Sequence, residues 1–236
     1  MAIMQPSCTF NTTKKQHSLY IDIHTHKTQI SLGKGIRSLY FDYEEVAKTG
    51  HYSIGIHPWY IDGFHWRNQW NSLIEWSGKE QVLAIGECGL DAVCDTPFSL
   101  QEEVFAEQID LAEKLQKPLV IHCVRAWEET LILLEKQTLT IPIIFHGFNK
   151  KLPLAERLTG KGYYLSFGKW LQNPVSSNVI KAIPRSQILL ETDDADITID
   201  SVYDGAAASM GIDLNSLSLQ IQKNCAAVFG SKLVGI

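Results

Sequence analysis

Five short apolar stretches each end on side chains able to ligate a metal, and this recurrence limits the possible folds more than any other feature of the chain. The first reads Tyr20-Ile21-Asp22-Ile23-His24-Thr25-His26. The others are Leu83-Ala84-Ile85-Gly86-Glu87, Leu119-Val120-Ile121-His122, Ile143-Ile144-Phe145-His146 and Ile188-Leu189-Leu190-Glu191-Thr192-Asp193. Side chains alternate along a strand, so Asp22, His24 and His26 share one face while Ile21 and Ile23 take the other. A fold that gathers the C-terminal ends of these strands in one place would concentrate all the ligands there.

Eight strands are predicted, over Tyr20–His26, Ser38–Tyr43, Tyr52–His57, Val82–Glu87, Pro118–His122, Pro142–His146, Tyr163–Phe167 and Ile188–Asp193. Helical stretches separate them. Ser99-Leu100-Gln101-Glu102 has the pattern of a capping box. Val104, Gln108, Leu111, Ala112 and Leu115 follow at helical spacing. Near the end, Asp213 is placed to cap a helix through Leu217 and Ile221, and Gly230 to stop it. Apolar strands alternating with helices imply a parallel sheet. A doubly wound sheet would spread the ligands over several strand widths, whereas a closed (β/α)8 TIM barrel brings them to one mouth. The barrel is therefore expected, as a single domain over residues 1–236: an N-terminal arm at 1–18, the barrel at 19–230 and a tail at 231–236.

His24, His26, Glu87, His122, His146 and Asp193 make up the candidate ligand set. One catalytic zinc takes about three protein ligands and an open position, so this set suits two ions roughly 3.5–4 Å apart with a carboxylate between them. The net charge of −5 disfavours a general electrostatic grip on duplex nucleic acid. No apolar run reaches the roughly 18 residues of a membrane span, and the N-terminus lacks a secretory apolar region. A cytoplasmic location is expected. The five cysteines show no CxxC pair and read as reduced thiols; Cys88 and Cys123 each follow a ligand and should point away from it.

The chain resembles the TatD family of metal-dependent hydrolases and deoxyribonucleases, within the amidohydrolase-like barrels. The motifs are Ile21-Asp22-Ile23-His24-Thr25-His26, Gly55-Ile56-His57-Pro58, Ala84-Ile85-Gly86-Glu87-Cys88-Gly89-Leu90-Asp91, Pro118-Leu119-Val120-Ile121-His122-Cys123, Phe145-His146-Gly147-Phe148 and Glu191-Thr192-Asp193. They span about Tyr20 to Gly230. The resemblance implies two divalent ions (zinc, magnesium or manganese) and hydrolysis of phosphodiester bonds, typically in DNA. It implies His24, His26 and Asp193 on one ion, His122 and His146 on the other, Glu87 as the bridge, and His57 facing a substrate phosphate. Asp193, a terminal carboxylate, is the candidate general base; Asp22 is expected to orient an imidazole from behind, and Glu191 to make a structural ion pair or hydrogen bond.

The chain departs from the family pattern in two places. The arginine usual two residues past the strand-5 histidine is replaced by Val124, with Arg125 one later. After Asp193 comes the acidic run Asp194-Ala195-Asp196-Ile197-Thr198-Ile199-Asp200 in place of a basic, proline-containing loop. Substrate contacts are expected from His57, Lys169 and Trp170, with Trp59 and Phe148 as further aromatics near the mouth. His17, His51 and His65 are expected on loops or the surface. The expected substrate is DNA or a small phosphodiester, with no obligate protein partner. An amidohydrolase or a small-molecule phosphoester hydrolase on the same dinuclear site is the alternative; a bridging lysine would favour the former, and the bridge position here is Glu87.

Overall fold

The computed structural model describes residues 20–28, 35–47 and 49–233. The expected arm, with His17 and Cys8, and tail residues 234–236 lie outside the described residues. Eight strands form one parallel sheet in sequence order: β1 (Asp22–Thr25), β2 (Gly35–Leu39), β3 (His51–Ile54), β4 (Val82–Asp91), β5 (Leu119–Val124), β6 (Ile143–Phe145), β7 (Tyr164–Phe167) and β8 (Ile188–Leu190). Around them run α1 (Trp66–Ser77), α2 (Phe98–Leu115), α3 (Trp127–Glu135), α4 (Leu152–Gly160), α5 (Pro174–Ala182), α6 (Ile199–Met210) and α7 (Leu214–Phe229). No helix among the described residues is long and apolar enough to cross a membrane.

The sheet closes on itself just past β8. Thr25 bridges to Asp193 in parallel register. Asp193 N–H donates to the His24 carbonyl (2.9 Å), and His26 N–H donates to the Asp193 carbonyl (3.2 Å). Behind this seam the Asp22 carboxylate accepts from Thr192 N–H (3.0 Å) and from the Thr192 hydroxyl (2.7 Å). The TIM barrel is the expected fold, and its seam is made by the backbone of three candidate ligands, His24, His26 and Asp193.

Apolar strand residues such as Ile21, Ile23, Ile36, Ile54, Ile85, Leu119, Ile121, Ile144, Leu165 and Leu189 are wholly buried. Each is worth roughly 1.5–3 kcal/mol of burial. Polar clamps from the helices fix the strand ends within this layer. Gln108 on α2 accepts from Ile56 N–H (2.7 Å) and donates to the Ile56 carbonyl (3.1 Å). Gln101, two turns earlier, accepts from Asp91 N–H (2.8 Å) and donates to the Asp91 carbonyl (3.1 Å). Asn224 on α7 donates to the carbonyls of Arg185 and Ile188, each at 2.7 Å. Gln108, the one polar residue in the apolar series of α2, thus binds the residue before His57.

Several boundaries differ from expectation; β3 and β8, for example, each stop three residues early, at Ile54 and Leu190. β2 runs over Gly35–Leu39, three to four residues earlier than the apolar run suggests, because Asp42 adopts a left-handed φ of 53° and ends the strand. Tyr40 and Phe41 are thereby left at the mouth. β4 extends four residues past Glu87, to Asp91. Gly89 permits this, with φ 138° and no side chain; a Cβ there would lie 2.1 Å from the His122 carbonyl. α2 opens after Pro97 instead of using Ser99 as its cap, because the Pro97 carbonyl already takes Leu100 and Gln101 N–H. At α7 the expected signals are used: Asp213 Oδ1 accepts from Ser216 N–H (2.9 Å), and Gly230, with φ 76°, ends the helix.

Replacing Gln108 with Leu keeps the volume close but strands the buried N–H and carbonyl of Ile56. At about 1–3 kcal/mol for each buried polar group left without a partner, Gln108→Leu is expected to cost about 2–4 kcal/mol in urea unfolding. A change below about 0.5 kcal/mol would show that water or a shifted backbone satisfies those groups.

Candidate metal centre

All six candidate ligands reach one mouth. His24 comes from β1, with His26 just past it, Glu87 from β4, His122 from β5, His146 from the residue after β6 and Asp193 from the turn after β8. Asp193 sits at φ 54°, a conformation costing a non-glycine residue roughly 1–2 kcal/mol. Its two backbone bonds across the seam hold it there and turn its carboxylate toward the histidines.

Glu87 is at the centre, and its two oxygens face different partners. Oε2 lies 3.3 Å from His24 Nε2 and 3.4 Å from His26 Nε2. Asp193 Oδ1 lies 3.7 Å from the same two nitrogens. Oε1 faces His146 Nε2 at 2.7 Å, His122 Nδ1 at 3.0 Å and His57 Nε2 at 3.2 Å. Ligand atoms around a tetrahedral ion with bonds of about 2.1 Å stand about 3.4 Å apart. The His24, His26, Glu87 and Asp193 set already has that spacing, while the Oε1 set is drawn in to hydrogen-bond distance. Both ring nitrogens of His24 are buried without a hydrogen-bond partner. That is costly for a polar group unless it serves as a ligand. The donor groups fit divalent metal ions; the triads His24–His26–Asp193, His24–Glu87–His146 and His57–Glu87–His122 each bring their donor atoms within 4.8 Å of one another.

The electrostatics follow from this packing. Burial opposes ionisation of Glu87, but His146, His122 and His24 outweigh it and hold the carboxyl well below the usual range. Burial likewise opposes charge on His26, His122 and His146, yet the neighbouring carboxylates prevail; all three are raised, His146 well above the ordinary histidine value. For His57 burial prevails and the value is lowered. Its Nδ1 accepts from Trp59 N–H (3.1 Å), which leaves Nε2 to carry the proton and point it at Glu87.

Further carboxylates stand behind two of the imidazoles, one of them hydrogen-bonded to its ring. Asp91 Oδ2 accepts from His122 Nε2 (3.0 Å) and from the Trp59 indole N–H (2.6 Å). Burial opposes its charge, but His122 and Trp59 prevail and bring Asp91 down to about 2. Glu191 Oε1 accepts from Gly147 N–H (2.7 Å) and lies 3.6 Å from His146 Nδ1. This is the structural bonding expected of Glu191. Asp22 differs from expectation: its carboxylate holds Thr192, and its contact with His24 is through the backbone N–H at 3.4 Å. It fixes the seam and not an imidazole ring. The sequence reading missed Asp91 as a site residue. Its position four residues past Glu87 on an alternating strand was the available signal, obscured by ending that strand at Glu87.

The rim is partly aromatic. Tyr40, which the sequence placed inside a strand, lies 5.3 Å from the His26 ring and stacks on Tyr60 at 4.5 Å. Trp59 and Trp170 are exposed, whereas Phe148 is buried against Phe167 and belongs to the core. Lys169 pairs with Asp194 at 2.7 Å, so the first carboxylate of the acidic run meets a cation at the mouth. Asp200 lies in the first turn of α6, where a negative charge suits the helix dipole. Arg125 follows β5 in an exposed turn with φ 53°. His51 begins β3, at the end away from the mouth, and His65 is exposed beside Asp62. Cys88 is buried beside the Val120 carbonyl and Cys123 lies beside Thr130, both turned away from the ligands.

A family model described as TatD related DNase matches residues 17–230. The chain belongs to this family. Among curated relatives it is 36% identical over 149 residues to an uncharacterized metal-dependent hydrolase, YabD, of Bacillus subtilis, covering 60% of this chain and 57% of that protein. It is 30% identical over 151 residues to the 3'-5' ssDNA/RNA exonuclease TatD of Salmonella typhimurium, covering 59% and 55%. The aligned stretch thus spans little more than half the length of these relatives. Among solved structures, the TatD homolog YjjV of Escherichia coli superposes with a TM-score of 0.77 at 22% identity, over 90% of this chain and 98% of that one. A hydrolase TatD family protein of Entamoeba histolytica gives 0.74 at 15%, over 90% and 98%. At those identities the likeness is one of fold.

Imidazoles must be neutral to bind a metal, and three of the candidate ligands have raised values. Metal loading near pH 7 is therefore expected to release protons, and apparent affinity to fall as pH drops. Calorimetry in two buffers of different ionisation enthalpy measures the release. Zero net release would mean that these histidines are already neutral or do not bind the metal.

Proposed function

We propose that the protein is a metal-dependent phosphodiesterase that cleaves nucleic acid strands, with His24, His26 and Asp193 holding one ion, His122 and His146 a second, and Glu87 between them. One observation carries this reading: the two oxygens of a single buried carboxylate face two separate sets of imidazoles. The four-imidazole donor set favours a transition ion such as zinc over magnesium. Ions bound there supply a nucleophilic water at neutral pH and offset the charge that builds on the phosphoryl oxygens.

The remaining roles belong to the chain's own residues. Asp193 presents Oδ1 toward His24 and His26, placed to take the proton of an attacking water. Glu87 balances the positive charge gathered beneath the substrate. Asp91 and Glu191 hold His122 and His146 in position. His57, its Nε2–H freed once Glu87 ligates the ions, would offer that proton from the floor of the mouth to a phosphate oxygen. Lys169 stands at the rim, and Trp170 beside it adds an exposed ring. The name of the Salmonella relative points to single-stranded DNA or RNA. The small-phosphodiester alternative shares every one of these residues; the amide-hydrolase alternative is disfavoured by Glu87 at the bridge position.

The deciding assay is metal-dependent release of mononucleotides from labelled single- and double-stranded DNA and from RNA, run beside a generic phosphodiester and an amide. Release from single strands is expected; hydrolysis of the amide alone would overturn the reading. Glu87→Gln keeps the shape but loses the charge, and is expected to lower bound metal and nearly abolish hydrolysis. Near-normal turnover at saturating metal would remove Glu87 from the bridge. Asp193→Asn is expected to cost about 10²–10⁴-fold in turnover, a larger factor than its loss of metal. Unchanged turnover at full metal content would exclude Asp193 as the base.

A further inference from the structure

Beside the metal centre lies an open cleft of about 300 Å³, lined by Trp59, Asp91, Val93, Cys94, Asp95 and Thr96. Two of its walls are exposed apolar surfaces: Trp59 is 56% exposed and Val93 58%. The indole orientation is fixed. Its N–H donates to Asp91 (2.6 Å), and its backbone N–H to His57 (3.1 Å). The Pro58 carbonyl before it accepts from the Thr96 hydroxyl (2.7 Å), tying this segment to the loop that carries Val93. Val93 is held in turn by its backbone N–H, which donates to Asp91 Oδ1 (2.9 Å). The cleft adjoins the candidate ligands: the Trp59 ring lies 5.8 Å from that of His122 and 5.0 Å from that of His57.

We propose that the cleft between Trp59 and Val93 receives a nucleobase of the strand whose phosphodiester lies at the metal centre. The proposal rests on the phosphodiesterase reading above. An indole held in one orientation and an exposed isopropyl group lining one cleft suit a flat aromatic base, and any base can stack on the indole because each has a π-face. The charges select a base over a phosphate. Asp95 is exposed in the cleft, and a carboxylate there repels a backbone phosphate but accepts hydrogen bonds from base N–H groups; Asp91, buried and already accepting from His122, Trp59 and Val93, adds negative charge from behind. The cleft would therefore act as a specificity determinant for nucleic acid over phosphodiesters that lack a base, and it requires an unpaired nucleotide.

The test uses the metal-loaded full chain and short single-stranded DNA, with an abasic residue placed in turn on either side of the scissile bond. The readout is the ratio of kcat/KM for the base-bearing and abasic substrates, so a general loss of activity cancels. Stacking is expected to give wild type a ratio of about tenfold at one of the two positions. Trp59→Leu and, independently, Val93→Ser should bring that ratio close to one. Trp59→Phe should keep most of it, although loss of the indole bond to Asp91 will lower turnover on both substrates. A wild-type ratio near one at both positions, or a ratio unchanged in Trp59→Leu and Val93→Ser, would overturn the pocket alone. If wild type hydrolyses no nucleic acid, the functional reading falls, and the pocket with it.

Discussion

Every structural device at the mouth depends on Glu87, a buried carboxylate facing the imidazoles of His24, His26, His57, His122 and His146. Burying a charge this deeply is unfavourable without close compensation, and the compensation comes from β1, β3, β5 and β6 together. Only a closed parallel barrel brings those strand ends within hydrogen-bond reach of one side chain on β4. The arrangement is also an electrostatic compromise. Glu87 and the histidines shift one another: the carboxylate raises His26, His122 and His146, and His146, His122 and His24 hold it low. The same groups make up the donor set that fits divalent ions.

Much of this was legible in the chain because strand ends and ligand types coincide. A strand that is apolar on both faces and finishes on histidine or carboxylate announces its register and its C-terminal end at once. The exceptions have physical causes. Tyr40 was misplaced because strand propensity continued through Tyr40 and Phe41, while the left-handed turn at Asp42 ended β2 earlier. Asp91 was overlooked because Gly89 lets β4 continue where a glycine usually argues for a break. Asp22 shares a face with His24 and His26, but the nearest unsatisfied donors are those of Thr192 across the seam. No single-strand pattern contains that partner, because it depends on β1 meeting β8.

The supports of the site form a hierarchy that local sequence patterns do not reveal. The ligands stand on strand ends, carboxylates at Asp91 and Glu191 stand behind two of the imidazoles, and the amides of Gln101 and Gln108 fix the backbone at Asp91 and Ile56. Gln101 and Gln108 are two turns apart on one helix, so α2 sets the relative height of β4 and the His57 segment. A buried glutamine in an apolar helical series looks like a flaw in the pattern. Here it gives directional contacts that leucine packing lacks, which a site requiring sub-ångström placement needs.

The segment His57-Pro58-Trp59-Tyr60 joins that rigid framework to the outside. His57 points inward to Glu87, Trp59 bonds Asp91 and exposes its ring, and Tyr60 stacks on Tyr40. Three residues of this four-residue segment thus touch the carboxylate at the centre, the carboxylate that orients His122, and the aromatic rim. The Thr96 bond to Pro58 ties this segment to the loop after β4, so both walls of the cleft are referenced to the strand that carries Glu87. A substrate group held in that cleft would be positioned relative to the metal centre by short covalent and hydrogen-bonded paths. The acidic run after Asp193 lies on the other flank, where Lys169 offsets Asp194. This division leaves the negative charge of that loop away from the Trp59 side of the mouth, and with the proposed pocket it would separate the chemistry at the strand ends from the selection of what reaches it.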